Sequence, residues 1–133
     1  MRDDLMVQQQ VDNVWQHMVG VICLNCTGRK QVKAVLPTFF SKWPTHKAFL
    51  HATKNEIEEV IAPLGMRRVR AQRLYRMSEQ FDDWDGEDAT ELYGIGKYGS
   101  DSYRIFYKNE IPADVQDKEL KRYITEELTY GHA

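Results

Sequence analysis

Two glycines separated by one residue, Gly94 and Gly96, stand beside Lys97 in a short turn. Glycine lets a chain reverse within a few residues and leaves backbone amides open to a ligand, because there is no Cβ to hold the ligand away. Residues 85–91, before the turn, are polar and acidic. The pattern therefore predicts a hairpin between two helices. It argues against a dinucleotide-binding loop, which needs a preceding apolar strand, although Gly99 completes that motif's spacing.

Apolar residues recur at helical spacing along most of the chain, and no segment alternates as a half-buried strand would. The stripes are Val14, Met18 and Ile22; Val32, Val35, Leu36, Phe39 and Phe40; Ile57, Val60, Ile61 and Leu64; Leu74, Met77 and Phe81; and Leu120, Tyr123, Ile124 and Leu128. Thr53 and Glu56 have the spacing of a capping box. Pro37 falls inside one apolar stripe and should bend that helix. The sequence predicts a compact all-α fold.

The chain of 133 residues is expected to form one domain over residues 1–133, with a composition, 42% hydrophobic and 29% charged, that is ordinary for a globular protein. No apolar run approaches the roughly 18 residues of a membrane span. The acidic N-terminus resembles neither a secretory signal nor a transit peptide. We therefore expect an intracellular monomer that does not bind membranes, in the nucleus of a eukaryote or in the cytoplasm or nucleoid of a prokaryotic or viral host.

The net charge of −2 argues against a surface that binds nucleic acid throughout. The charges are nevertheless segregated, because arginines crowd one helical stretch and acidic residues crowd the next loop. The arginines are Arg67, Arg68, Arg70, Arg73 and Arg76, and the acids fall within residues 82–91. Two interpretations stay open: two solvated faces that attract each other, or a cationic strip for phosphates.

Cys23 and Cys26 form a lone Cys-x-x-Cys pair. A zinc or iron–sulfur site would need two further ligands at suitable spacing, and none is found. The pair is interpreted as buried or wall-lining thiols, and no metal site is predicted.

Asp117 directly precedes the last helical stripe, so the simplest interpretation is that it caps that helix. A functional interpretation uses the same position, because an ionised carboxylate can face the positive charge that develops on a deoxyribose as its base departs. Spacing alone leaves both open.

Residues 91–106 closely resemble the helix-hairpin-helix DNA glycosylases, and especially the thymine and uracil mismatch glycosylases of the methyl-CpG-binding domain protein 4 type. Further stretches carry the resemblance over almost the whole chain: residues 6–8, 24–28, 62–65 with Arg70 and Ala71, and 117–120 with Tyr123. The resemblance implies a single helix-hairpin-helix glycosylase domain. It also implies that the partner is duplex DNA containing a mismatched or modified base.

The resemblance assigns roles residue by residue. Asp117 matches the catalytic aspartate, while Val7, Gln8 and Tyr98 match the pocket for a base turned out of the duplex, a step that such enzymes need. The implied DNA-binding residues are Asn25, Cys26, Gly28, Arg29, Lys30, Gly94, Gly96, Lys97 and Gly99. No cofactor is implied, although a sodium or potassium ion at the carbonyls of residues 92–96 is compatible with the family.

Bifunctional members of the superfamily use a lysine four residues beyond the second hairpin glycine to attack the sugar and nick the strand. Ser100 stands at that position. The resemblance therefore implies a monofunctional enzyme that leaves an abasic site, with Lys97 and Lys118 near enough for slow nicking to stay open.

The sequence departs from the mismatch glycosylases at residues that matter for affinity. Cys26 stands where they have an arginine that fills the gap left by the flipped base, so Arg29 or loop backbone would have to replace it. Glu119 replaces a lysine and weakens the attraction for phosphate. Two alternatives remain: a catalytically silent module that binds DNA or a partner, and an enzyme of the same fold that acts on another modified pyrimidine or on adenine opposite damaged guanine.

Overall fold

The computed structural model describes residues 7–25 and 27–126, and within them the regular structure is entirely helical. The helices are α1 (Val14–Leu24), α2 (Arg29–Lys42), α3 (His46–Phe49), α4 (Lys54–Ile61), α5 (Arg67–Phe81), α6 (Lys97–Tyr107) and α7 (Lys118–Tyr123). Short 3₁₀ turns cover Val7–Gln10, Ala62–Leu64 and Ala89–Glu91. No helix in this part of the chain is long and apolar enough to cross a membrane.

Helix α1 is the central element of the fold. Every residue from Trp15 to Cys23 is buried, and α2, α5 and α6 all pack against it. A helix that is covered on all sides must be apolar nearly all round, which agrees with the sequence of α1. Its N-terminus is fixed by Asn13, whose side chain accepts a hydrogen bond from the backbone N–H of Gln16 at 2.9 Å.

The all-α prediction is confirmed, and most of the individual helices match it. Thr53 and Glu56 form the predicted capping box of α4. Pro37 lies on the exposed side of α2, and the helix continues through it. The four-residue helix α3 was not predicted, because it has no apolar stripe of its own. Leu128, assigned to the last helix, lies outside the described residues.

A small second core joins α6 to α7. Ile105 of α6 and Leu120 of α7 are the buried residues of this core. The rings of Phe106 and Tyr123 pack beside them, with their centroids 4.4 Å apart. This packing fixes α7, and with it the preceding Asp117, against the helix that follows the glycine hairpin.

Arg70 differs from the other arginines of α5 because it is buried. Its guanidinium donates to the carbonyls of Leu64 at 2.5 Å and Gly65 at 3.2 Å, and also to that of Asn25. Arg70 thus fastens the end of α1 to the turn between α4 and α5, and it is not available to a phosphate.

The two charged segments do not neutralise each other in the described structure. Of the acidic loop, Asp82 pairs with His46 at 2.5 Å and Glu87 pairs with Lys108 at 3.2 Å. Among the described residues, no arginine of α5 forms an ion pair with residues 82–91. The interpretation as two mutually attracting faces therefore finds no support in the ion pairs.

Gly99 allows α6 to lie close to α1. A Cβ at this position would fall 2.7 Å from Cγ2 of Ile95 and 2.9 Å from Cγ1 of Val21, both far inside van der Waals contact. We expect Gly99→Val to lower the free energy of unfolding by about 2 kcal/mol, because overpacking displaces both neighbours. Urea denaturation measures the loss. Ser100→Val, which brings the same β-branched side chain to a half-buried neighbouring position, should cost less than half as much; equal losses would contradict the packing role of Gly99.

Candidate active site

A cavity of about 330 Å³ opens where the chain's beginning, the end of α1, the start of α6 and the start of α7 meet. It is lined by Val7, Gln8, Leu24, Asn25, Arg29, Tyr98, Asp117 and Glu119. The structure thus brings together the predicted catalytic residue, the predicted base pocket and two of the predicted DNA-binding residues. These groups are far apart in sequence, so the cavity exists only in the folded chain.

Val7 and Gln8 reach the cavity through a close approach to α1. Both are buried, and Val7 lies against Gly20, where a Cβ would fall 2.7 Å from Cγ1 of Val7. Glycine at this point of α1 therefore allows the 3₁₀ turn to lie on the central helix. That contact places the Gln8 amide at the cavity wall.

The Gln8 amide is hydrogen-bonded to two hydroxyl groups of α6. Its Nε2 donates to the Tyr98 hydroxyl at 2.5 Å and to Oγ of Ser102 at 3.0 Å. Tyr98 and Ser102 are four residues apart and so lie on the same face of α6. Because the Tyr98 oxygen accepts from Gln8, its own proton is available to a ligand in the cavity.

The Tyr98 hydroxyl stays protonated over the physiological range. Burial is the main cause that raises the pKa of Tyr98 to about 12; the hydrogen bond from Gln8 opposes this rise, and the carboxylates of Asp117 and Glu119 contribute to it. Tyr98 is therefore a hydrogen-bond donor in this cavity rather than a base.

Asp117 has a structural and a cavity-facing role at once. Its Oδ2 accepts a hydrogen bond from the backbone N–H of Leu120 at 2.9 Å, which makes Asp117 the N-cap of α7. The carboxylate also lines the cavity, half-buried, close enough to Tyr98 to influence its titration. Capping fixes one oxygen and thereby orients the other, so the two interpretations of Asp117 are compatible.

An ion pair crosses the cavity wall between α2 and α7. Nη1 of Arg29 lies 3.3 Å from Oε2 of Glu119, which also lies 3.5 Å from Nη2 of Arg122. Glu119 thus faces two guanidinium groups, which offset its negative charge. Arg29, predicted to bind DNA, is therefore already engaged with a carboxylate through Nη1.

The two hairpin glycines, Gly94 and Gly96, are both exposed, but the physical reason for having glycine differs between the two positions. Gly94 has φ of 84°, in the left-handed region that favours glycine. Gly96 has an ordinary φ of −109°, and a Cβ there would meet no atom within 4 Å. Neither conformation nor packing inside the described chain calls for glycine at position 96. An open backbone at the start of α6 is what a ligand approaching the amides would need.

The starts of α2 and α6 share one feature. Each is preceded by an exposed glycine, Gly28 or Gly96, that offers no side-chain cap to the first-turn amides. Lys30 and Lys97 are exposed beside these ends, and Nζ of Lys97 lies 2.9 Å from Oδ2 of Asp101. Uncapped helix N-termini flanked by lysine favour phosphate groups.

The remaining predicted DNA-binding residues are placed differently. Asn25 ends α1 and lines the cavity. Cys26 lies outside the described residues. Gly99 is buried within α6 and packs against Val21 and Ile95, so close helix packing accounts for this glycine and its Cα is not exposed to a ligand.

Sequence reasoning missed two residues behind the cavity, Ser102 and His17. Both are fully buried, and Nε2 of His17 lies 2.8 Å from Oγ of Ser102. The available signal was the spacing of Tyr98 and Ser102 on one helical face. His17 gave none, because a histidine within an apolar central helix looks like a core residue.

Burial lowers the pKa of His17 from 6.5 to about 3, so this imidazole is neutral in the folded protein. The unfolded chain binds the proton more readily, and stability is therefore lost as the pH falls from about 6.5 towards 3. When the pH is lowered from 7.5 to 5, we expect the free energy of unfolding to fall by about 2 kcal/mol because of His17. Urea denaturation of the wild type and His17→Phe at both pH values isolates this contribution; identical pH dependence in the two proteins would contradict it.

Other parts of the described structure give weaker indications of a functional site. Burial raises the pKa of Cys23 to about 12, which keeps its thiol protonated. Within residues 7–25 and 27–126, no cluster of three metal-binding side chains occurs. A larger groove, of about 620 Å³, lies along α4 and α5 between Ile57 and Tyr75, and none of the predicted site residues lines it.

Comparison with known proteins identifies the family. A family model described as HhH-GPD superfamily base excision DNA repair protein matches residues 19–127. The chain therefore belongs to the HhH-GPD superfamily of base excision DNA repair proteins, which carry the helix-hairpin-helix motif.

Two curated relatives illustrate the similarity. The methyl-CpG-binding domain protein 4-like protein of Arabidopsis thaliana is 29% identical over 103 residues, or 77% of this chain and 23% of the relative. The thymine-DNA glycosylase of Aeropyrum pernix is 31% identical over 91 residues, or 63% of this chain and 41% of the relative. The chain thus spans less than half the length of these relatives.

The fold is also that of a solved enzyme structure. Endonuclease III, in a non-covalent complex with DNA, has a TM-score of 0.70 and 18% sequence identity, covering 85% of this chain and 56% of that one. At this level of identity the similarity concerns the fold.

Proposed function

We propose that this protein is a monofunctional DNA glycosylase that excises thymine, uracil or a modified pyrimidine mispaired with guanine and leaves an abasic site. The observation that carries the proposal is the cavity in which Gln8, Tyr98 and Asp117 meet. A base must leave the duplex to be cleaved, and a mispaired base is the least costly to extrude. The names of the relatives, thymine-DNA glycosylase among them, support the same base class.

The chemistry assigned to Asp117 is electrostatic. As the bond between the base and C1′ breaks, positive charge develops on the sugar, and a fixed carboxylate stabilises it without needing to reorganise. The electron pair of the broken bond leaves with the base, water adds to C1′, and the proton that the water loses ends on the released base, so that the products are an abasic site and a neutral pyrimidine. The protonated Tyr98 hydroxyl can donate to an oxygen of the departing pyrimidine, where negative charge accumulates.

Two observations support a monofunctional reaction. None of the described residues that line the cavity is a lysine, and the neighbouring Lys97 ammonium is engaged with Asp101 at 2.9 Å. An amine is needed to form the imine that leads to strand cleavage.

DNA is proposed to bind as duplex across the starts of α2 and α6, whose exposed, uncapped amides and lysines suit phosphates on either side of the cavity. Action as a monomer is part of the proposal. A sodium or potassium ion at the carbonyls of residues 92–96 is part of the proposal, as a bridge to phosphate rather than a participant in the reaction.

The test uses end-labelled duplexes that each contain one G·T, G·U, G·hydroxymethyluracil or A·T pair. After incubation with the wild type, strand breaks are compared with and without hot alkali. Breaks at the mismatch that require alkali support the proposal and rank the bases. Breaks that form without alkali would show that an amine takes part, and an absence of breaks on every duplex would favour a DNA-binding module without activity.

A further inference from the structure

The buried side of Gln8 is part of a hydrogen-bonded chain that runs away from the cavity through Ser102 to His17. Nε2 of Gln8 lies 3.0 Å from Oγ of Ser102, which lies 2.8 Å from Nε2 of His17. All three side chains are at least nine-tenths buried. None of these contacts is needed to close the core, since an apolar set would fill the same space without the cost of desolvation.

A serine hydroxyl has one proton and two acceptor lone pairs, so Ser102 can donate to only one of its two neighbours. If Ser102 donates to His17, it must accept from the Gln8 amide nitrogen. If His17 donates to Ser102, the serine proton is free, and the amide can present either its nitrogen or its oxygen. The tautomer of His17 therefore decides whether the Gln8 amide is held in one orientation.

The surroundings of His17 favour the first direction. Its Nδ1 is buried and has no hydrogen-bond partner among residues 7–25 and 27–126, and the ring lies 5.0 Å from that of Tyr107 and 5.6 Å from that of Phe106. The angle of 85° between the His17 and Tyr107 rings allows an edge-to-face contact, in which an N–H gains from the electron-rich face of a neighbouring ring, whereas a lone pair does not. A neutral imidazole carries one proton, and placing it on Nδ1 leaves Nε2 to accept from Ser102.

We propose that Ser102 and His17 are positioning residues that hold the Gln8 amide with its nitrogen towards Tyr98 and Ser102, which leaves its carbonyl oxygen to accept an N–H from the base. Gln8 Oε1 is buried without a partner in the described structure, and such an acceptor is costly until a ligand supplies a donor. Thymine and uracil carry that donor at N3, whereas cytosine has a lone pair there. The inference rests on the proposed function and gives its pocket a reason to prefer bases with an N3–H.

The test compares two substrates and four variants. A duplex with deoxyuridine opposite guanine is matched by one with 2′-deoxy-3-deazauridine, in which C–H replaces N3–H. Their single-turnover rates give a discrimination ratio for each protein, and intrinsic differences between the two bases cancel when variants are compared. The variants are Ser102→Ala, His17→Phe, the double variant and the control Ser100→Ala.

We expect Ser102→Ala and His17→Phe each to lower the discrimination ratio about tenfold, the effect of one misplaced hydrogen bond. The double variant should lose no more than either single one, because both residues act through Gln8. Ser100→Ala should keep the wild-type ratio. Unchanged discrimination in the active Ser102 and His17 variants would overturn the inference while leaving the proposed function intact.

A measurement that does not depend on activity separates the two proposals. Imidazole ¹⁵N NMR of the wild type should show His17 protonated at Nδ1 and bare at Nε2 at neutral pH, and Ser102→Ala should change the Nε2 signal. A proton found at Nε2 of His17 in the wild type would contradict the proposed positioning of Gln8, whether or not the protein acts on DNA.

Discussion

Asp117→Asn should lower the single-turnover rate of base release at least 100-fold, by analogy with the roughly 10²–10³-fold cost of removing one preorganised electrostatic group. Asparagine is also a good N-cap, and its oxygen can keep the hydrogen bond from the Leu120 N–H that Asp117 now accepts at 2.9 Å. The substitution therefore removes the charge and preserves the cap. Its effect separates the catalytic interpretation of Asp117 from the purely structural one.

The measurement is the rate of abasic-site formation at saturating enzyme, together with the affinity for the same duplex and the unfolding free energy. Affinity and stability should stay near wild type. Asp114→Asn is the matched control, because Asp114 is exposed in the preceding loop and does not line the cavity, and it should keep full activity. A fast Asp117→Asn enzyme would show that Asp117 only caps α7.

Arg70→Met should produce the largest loss of stability among these substitutions, about 3 kcal/mol. The guanidinium is buried and serves the carbonyls of Leu64, Gly65 and Asn25, which methionine would leave without a donor. Each unsatisfied buried acceptor costs about 1–3 kcal/mol, partly recovered where water enters. Because Asn25 lines the candidate active site, the substitution should also disturb that site.

Urea denaturation at constant pH measures this loss. Arg68→Met is the matched control, since Arg68 lies on the exposed side of the same helix, and it should change stability by no more than about 0.5 kcal/mol. Equal effects of the two substitutions would mean that Arg70 acts through its charge rather than through its three acceptors.

The helices could be predicted from the sequence because each buries one apolar face, and the periodicity of Val32, Val35 and Leu36 carries that information directly. The sequence alone could not distinguish residues of the same type that have different surroundings in the fold. Arg68 and Arg70 look alike in sequence, and only the distant carbonyl groups that converge on α5 make Arg70 structural. The short helix α3 rests on a cap at Thr45 and on packing rather than on a stripe.

The candidate site shows the same division. Resemblance drew attention to Gln8, Tyr98 and Asp117, and the fold places all three around one cavity. The three glycines of the hairpin region serve three purposes, which are a positive φ at Gly94, an open backbone at Gly96 and close packing at Gly99. The hydrogen-bonded chain from Gln8 through Ser102 to His17 could not be predicted, because the hydrogen bond between His17 of α1 and Ser102 of α6 depends on how the two helices pack.

The most direct test is to detect the released base itself. Wild-type protein in excess over a G·T or G·U duplex is stopped at intervals, and free thymine or uracil is quantified by mass spectrometry beside the intact, base-free strand. We expect one equivalent of free base for each abasic strand, and no strand scission before alkali. Tight binding of the mismatched duplex with no free base released would contradict the assignment of this cavity as the active site of a DNA glycosylase.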